Sequence, residues 1–239
     1  ILWKGIVTMS HNHLEVKNLN YIYPNHTFAL KNIQLSLKSG YIYGLVGKNG
    51  AGKTTLLDNL AGYYSASYPY LLYNNEPFTH ELIKNNLGYL ETNLLLYDYL
   101  TIDENMRYIC QIRRLRYPSD DMDHLIEHFE LTPFLDRPLN QLSKGTLLKV
   151  HLIMTLIHQP AILLLDEPFD GLDPTQVKNL QELLIDYAHQ GKIVLVSSHV
   201  LAYLTDLCNE IFYMQEGRIT ADLSYREFPL LTDFFQLND

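Results

Sequence analysis

Gly47-Lys48-Asn49-Gly50-Ala51-Gly52-Lys53-Thr54 fits the pattern G-x-x-x-x-G-K-[ST], a loop whose backbone amides wrap around phosphate oxygens. The apolar run Tyr41 to Val46 comes directly before it and reads as a strand; Thr54 to Leu60 comes directly after and reads as a helix. Strand, glycine loop and helix, in that order, are the setting the pattern needs. Without Cβ atoms, Gly47, Gly50 and Gly52 let the chain close on an anion, and the helix N-terminus adds partial positive charge. On this reading Gly47, Lys48, Asn49, Gly50, Ala51, Gly52, Lys53, Thr54 and Thr55 form a phosphate cradle. Lys53 reaches the outer phosphates, where it also serves catalysis, and the Thr54 hydroxyl ligates magnesium. A glycine turn standing before Lys-Thr by accident is expected in about one chain of this length in a hundred, and the flanking elements lower that further.

Outward from the loop, Leu14 to Leu19 and Ile33 to Leu37 alternate apolar and polar residues, as half-buried strands do. Tyr70 to Tyr73 reads as a short strand with a turn at Asn74-Asn75, and Leu87 to Glu91 as a buried one. From 93 to 158 the spacing becomes helical, over Ile102 to Arg116, Asp120 to Leu131 and Lys144 to His158, with Pro118, Pro133 and Pro138 as punctuation. Ala161 to Leu165 and Ile193 to Ser197 are wholly apolar or small strands, separated by an amphipathic helix from Thr175 to Gln190. Val200 to Leu207 reads as helix, and Ile211 to Met214 pairs with Ile219 to Leu223 across Glu216-Gly217. Short apolar strands alternating with helices predict an α/β fold with a mainly parallel sheet, preceded by antiparallel strands and interrupted by a helical insert. Such sheets place ligands beyond the carboxyl ends of their strands.

Composition narrows the classes. The chain has 239 residues, 47% hydrophobic and 19% charged, enough for a substantial core. A net charge of -9 argues against a general nucleic-acid surface, although Arg107, Arg113, Arg114 and Arg116 cluster locally. No run approaches 18 apolar residues, so nothing reads as a membrane span. Cys110 and Cys208 lack metal-type spacing and read as reduced thiols. Ile1 to Thr8 reads as an extension ahead of Met9, and Lys4 and Gly5 break any signal-peptide pattern.

Three further stretches carry chemistry. Ile162 to Leu165 ends in Asp166-Glu167, and carboxylates at a buried strand end are costly unless they meet a cation. Beside a phosphate loop, Asp166 holds magnesium and Glu167 polarises a water; alone, the pair would be two ordinary surface acids. Ser197-Ser198-His199 ends the next strand, where His199 can reach a phosphate or a water. Leu142-Ser143-Lys144-Gly145-Thr146 opens a helix with Ser143 as a good N-cap, which makes a second anion site or a plain helix start. One nucleotide rarely needs two such helix ends, so the second suits a nucleotide held by another copy.

Together these residues resemble the ATP-binding-cassette (ABC) family over about residues 14 to 223. The loop at 47–54 resembles its Walker A motif, Asp166-Glu167 its Walker B, Leu142 to Thr146 its Leu-Ser-Gly-Gly-Gln signature, Gly171-Leu172-Asp173 its D-loop and His199 its switch histidine. The resemblance implies a P-loop NTPase (RecA-like) fold with an N-terminal antiparallel β subdomain and an inserted helical subdomain. It implies one cassette over 9–239, with 14–92 and 159–223 as nucleotide-binding core, 93–158 as helical subdomain and 224–239 as tail. It also implies that Tyr23 stacks on adenine, with Tyr21 and Phe28 as lesser candidates and core packing as the alternative for all three. Two departures stand out. The signature carries Lys144 for a Gly, near the expected γ-phosphate, and Thr146 for a Gln. In the Q-loop register Thr92 stands where the family has a Gln metal ligand; Glu91 takes that place if the register slips by one.

The implied activity is Mg2+-dependent ATP hydrolysis within a head-to-tail dimer, with a second copy or a paralogous ATPase subunit. Ser143 and Gly145 of one subunit would close over the nucleotide of the other. Glu167 is expected as general base, His199 as γ-phosphate and water positioner, Asp173 as the cross-subunit link, and Thr54, Asp166 and Thr92 as metal ligands. The work would be membrane transport through a separate permease subunit, with the chain in the cytoplasm against the inner face of the cell membrane and no nucleic-acid partner. Leu94 to Leu100 is rich in apolar and aromatic residues, which suits either a permease-docking surface or lobe core. Leu147-Leu148-Lys149-Val150 looks more like export-type than importer cassettes. A soluble cassette serving a cytosolic partner, such as an iron–sulfur assembly scaffold, is the alternative. A P-loop small-molecule kinase fails on the signature and the Asp-Glu pair.

Overall fold

The computed structural model describes residues 12–24, 28–64, 70–91, 96–224 and 227–228. Ile1 to Thr8, Thr92, Leu94 and Leu95, the Phe28 side chain and nearly all of the expected tail lie outside the described residues.

Two sheets form. The smaller is antiparallel and is built from β1 (His13–Ile22), β2 (Phe28–Lys38), β4 (Leu71–Tyr73) and β5 (Glu76–Pro77), in the order β2-β1-β4-β5. The larger contains β3 (Ile42–Val46), β6 (Leu87–Leu90), β7 (Ile162–Leu165), β8 (Ile193–Ser198), β9 (Glu210–Gln215) and β10 (Arg218–Ser224), in the order β10-β9-β3-β8-β7-β6. All its pairings are parallel except the β9–β10 hairpin, as the pattern of apolar strands and helices predicted. The helices are α1 (Lys53–Leu60), α2 (His80–Asn86), α3 (Ile102–Arg113), α4 (Asp120–His128), α5 (Lys144–Leu156), α6 (Pro174–His189) and α7 (Ala202–Thr205). Helices α3, α4 and α5 fall between β6 and β7, where the helical insert was expected.

Each central strand is buried on both faces, and its side chains alternate between two cores. On one face Leu163, Leu165, Val194, Val196, Ile42 and Val46 pack with α3 to α6. On the other, Ile162, Leu164, Ile193, Leu195, Tyr43 and Leu45 pack with α1 and the antiparallel sheet. This explains the unbroken apolar runs, since neither face meets water. Full burial of each Leu or Val contributes about 2 kcal/mol.

Local chemistry sets the helix ends. Thr101 and Glu104 make a reciprocal capping box at the start of α3, and Asp173 and Gln176 make another at α6, where Pro174 begins the helix. α3 stops at Arg113 rather than Arg116, because Arg114 turns left-handed (φ 57°) and the Leu115 N–H returns to the Cys110 carbonyl. α4 stops at His128 by the same device, with Glu130 left-handed and Leu131 bonded back to Ile126. The turn at Asn74-Asn75 is as expected: both residues have positive φ in a two-residue hairpin loop joining β4 to β5. The helix read over Val200 to Leu207 shrinks to α7, and neither β5 nor α2 was anticipated. The arginine cluster is partly absorbed locally. Arg107 pairs with Asp103 at 2.7 Å, and Arg113 donates to the Lys84 carbonyl.

Candidate functional site

The carboxyl ends of β3 and β8 lie level, and β7 ends two residues earlier on the same edge of the sheet. Val46 is opposite Ser198, and Val196 is opposite Leu165. The residues that follow these three strands therefore meet above the sheet: the glycine loop after β3, Asp166-Glu167 after β7, and His199 after β8.

The loop is shaped by close approach. A Cβ on Gly47 would lie 2.3 Å from the Met214 carbonyl oxygen of β9, so only glycine fits. Gly52 caps α1 at φ 106°, a left-handed geometry that favours glycine, and among the described residues no side chain makes a capping hydrogen bond there. A cavity of about 540 Å³ opens there, lined by Tyr23, Asn49, Gly50, Gly52, Lys53, Thr54 and Thr55, with Asp166 and Glu167 across from them. Its volume falls within the usual range for ligand sites. Ala29, Lys31, Glu216 and Gly217 also line it, and no sequence pattern marked them as site residues. The β9–β10 turn reaches it because the Gly217 N–H bonds to the Ala51 carbonyl and the Gly217 carbonyl accepts from Lys31.

Lys53 is buried and spans the site. Its ammonium donates to the Gly47 carbonyl at 2.7 Å and pairs with Glu167 Oε1 at 3.1 Å. The other Glu167 oxygen lies 3.0 Å from His199 Nδ1 and accepts the His199 backbone N–H at 3.1 Å. Lys53, Glu167 and His199 are thus one connected group, and Asp170 brings a carboxylate oxygen within 4.8 Å of it. Thr54 Oγ1 donates to Asp166 Oδ2 at 2.7 Å, while Ser197 Oγ donates to Asp166 Oδ1 at 2.6 Å. A hydroxyl and a buried carboxylate converging beside the glycine loop are hard oxygen donors of the kind magnesium takes. The donor set therefore fits the expected metal through Thr54 and Asp166, and Thr92, the third expected ligand, lies outside the described residues.

The aromatic candidates separate. Tyr23 is half-buried at the cavity edge, with its hydroxyl 2.7 Å from Thr55 Oγ1. Tyr21 is buried and stacks on Tyr64 at 4.4 Å, so it belongs to the core. Glu91 accepts the Tyr63 hydroxyl at 3.2 Å, and burial raises its pKa. Asp58 on α1 accepts the Tyr89 hydroxyl at 2.9 Å, tying the phosphate-loop helix to the strand that leads to Glu91.

Ser143 and Gly145 are not brought to this cavity in their own chain. Ser143 caps α5 by accepting the Thr146 N–H, and Gly145 packs so tightly on the Gln176 side chain that a Cβ would lie 2.8 Å from it. The Lys144 side chain lies across Gly171, so the added charge rests on the chain's own 171–173 loop. Asp173 caps α6 by accepting the Gln176 N–H at 2.9 Å.

The family described as ABC transporter matches residues 30–170. The uncharacterized ABC transporter ATP-binding protein YhaQ of Bacillus subtilis is 30% identical over 192 residues, covering 80% of this chain and 64% of YhaQ. This chain therefore spans less than two thirds of that relative. The lantibiotic transport ATP-binding protein SrtF of Streptococcus pyogenes is 28% identical, covering 93% of this chain and 95% of SrtF. Among solved structures, cbiO1 of Clostridium perfringens, described as part of the ABC transporter complex cbiONQ, superposes with a TM-score of 0.77 at 25% identity, covering 95% of this chain and 94% of that one.

Proposed function

This chain belongs to the ABC transporter family, and from that premise we propose that it is an ATPase subunit that powers transport through a separate membrane-spanning permease. The observation that carries the proposal is the convergence of Thr54, Asp166, Lys53 and Glu167 on one cavity beside a glycine loop, with His199 bonded to Glu167. Tyr23 stacks against adenine, the loop amides and Lys53 hold the triphosphate, and Thr54 and Asp166 hold Mg2+. The ion, when bound, neutralises phosphate charge as a Lewis acid. Lys53 exchanges its bonds to the Gly47 carbonyl and Glu167 for charge-assisted bonds to phosphate oxygens. Glu167, released from Lys53 and still oriented by His199, takes the proton of the attacking water. His199 positions the γ-phosphate.

The site is completed by a second copy or a paralogous subunit. Ser143 and Gly145 line no part of the cavity of their own chain, and a capped helix start suits an anion offered from outside. Asp173, at the start of α6, links the two subunits. ATP then serves as interface adhesive, and its hydrolysis releases the pair.

The permease docks on the aromatic face at the start of the helical lobe. Tyr97 and Tyr99 are exposed, the latter 87%, and Tyr108, Ile112 and Leu115 continue the apolar surface along and just beyond α3. Leu96 instead packs against the core. Among the described residues no helix is long and apolar enough to cross a membrane. The proposal places the permease on another polypeptide and this chain at the inner face of the membrane. Two relatives whose names carry transport roles support the same reading.

Substituting Glu167→Gln tests the proposal. The variant should bind Mg·ATP, accumulate as a dimer and lose about a thousandfold in turnover. Wild-type turnover in that variant would remove Glu167 from the role of base. Affinity capture from detergent-solubilised membranes should bring down a multi-spanning protein; capture of a soluble scaffold instead would favour a cytosolic role.

A further inference from the structure

We propose that Ser197 is a positioning residue that fixes the metal-facing carboxylate and the water-activating glutamate with a single hydroxyl. The inference rests on the ATPase reading above and assigns to that site a residue the reading does not include. Ser197 lies near the end of β8, after four apolar residues, Ile193-Val194-Leu195-Val196, and is itself 0% exposed. A hydroxyl buried this deeply among aliphatic side chains is unfavourable unless its hydrogen bonds are made.

Donor chemistry leaves one assignment for those bonds. An ionised carboxylate only accepts and a backbone N–H only donates. The Ser197 proton therefore goes to Asp166 Oδ1, at 2.6 Å, and a Ser197 lone pair takes the Glu167 N–H, at 3.0 Å. Thr54 holds the other Asp166 oxygen at 2.7 Å. The carboxylate plane is thus fixed at both ends, which presents Asp166 to the Thr54 side of the cavity in one rotamer. The bond to the Glu167 N–H acts on a backbone at φ 48°, a left-handed geometry that a non-glycine residue holds only when its surroundings enforce it. That conformation aims the Glu167 side chain at Lys53 and His199. Removing the Ser197 hydroxyl would withdraw one bond from Asp166 and one from Glu167 together. Ser198, the next residue, does different work: it accepts the Val200 N–H and shapes the loop that carries His199.

The test compares Ser197→Ala and Ser197→Thr with the wild type. Three quantities are measured: Mn2+ affinity of the ADP-bound protein by electron paramagnetic resonance, binding of ATP in excess chelator, and steady-state turnover. Ser197→Ala should weaken Mn2+ binding and lower kcat by about 10- to 100-fold each, with metal-independent ATP binding unchanged. Ser197→Thr, which keeps the hydroxyl, should recover most of both. Should the alanine variant lose its cooperative thermal transition, Ser197→Cys is read in the same way, since it keeps the volume with a weak donor. Wild-type Mn2+ affinity in Ser197→Ala would overturn the proposal, and so would an equal loss of chelated-ATP binding, which marks general damage. A wild-type protein inert towards ATP would instead overturn the ATPase reading, so the two failures are distinguishable.

Discussion

Lys53 and Asp166 are 6% and 3% exposed, and each is held by groups from other elements. Ser143, by contrast, is exposed at the start of α5, and its side chain bonds to Thr146 within its own turn. The first region is a buried network drawn from the ends of three strands; the second is a helix start on the lobe, with a cavity of about 280 Å³ between α4, α5 and α6 behind it. On the function proposed above, the contrast separates two tasks. Chemistry needs side chains fixed before substrate arrives, whereas a surface that closes on another molecule must stay exposed until it does so.

Perturbing the two regions should have unequal effects. Leu164→Ala, in the middle of β7 at 0% exposure, should cost about 4 kcal/mol in denaturant unfolding. A loss below 1 kcal/mol would mean that the strand core is less tightly packed than the contrast requires. Gly47→Ala drives a methyl into the Met214 carbonyl and should cost about 3 kcal/mol together with ATP binding; a variant that still binds ATP with wild-type affinity would contradict the close approach. Ser143→Ala should cost only about 1 kcal/mol, the value of an N-cap. It should leave ATP binding by the single chain intact while lowering turnover. Weakened binding in the monomer would collapse the distinction between the regions.

The smallest effect is expected at the far end of the sheet. Glu210 pairs with Tyr43 near the amino end of β3, away from the site. Burial first, then the neighbouring Asp222, raises its pKa from 4.5 to about 7, partly opposed by Lys38. The folded chain therefore holds this proton more tightly than the unfolded chain. Its stabilising contribution is complete below pH 4.5 and is lost as pH rises through about 7. Glu210→Gln should flatten the dependence of melting temperature on pH between 5 and 8 (roughly the window of this titration) without changing turnover per folded molecule. An unchanged slope would exclude this pair as its source.

Much of this was legible in sequence because the strands are buried on both faces. Ile162 to Leu165 and Ile193 to Val196 admit no polar residue, and the residues that follow them stand out. What escaped notice lacks such a signal. α2 buries only Ile83, and β5 is two exposed residues ending in proline. Ser197 is an ordinary serine in sequence and acquires its role only when β7 lies beside β8. The Lys144 side chain lies across Gly171 of its own chain, a contact that spacing in the sequence does not announce. Side-chain direction on an exposed helix start is set by tertiary neighbours, which spacing does not report.

Mixing two inactive variants addresses most directly whether the exposed helix start completes a site on another copy. Lys53→Ala has a dead phosphate loop and an intact Ser143; Ser143→Arg has the reverse. If sites form between copies, mixed dimers contain one intact site, and an equimolar mixture should recover up to about a quarter of wild-type ATPase activity. A mixture as inactive as either variant alone, with mixed dimers present by mass, would contradict the account.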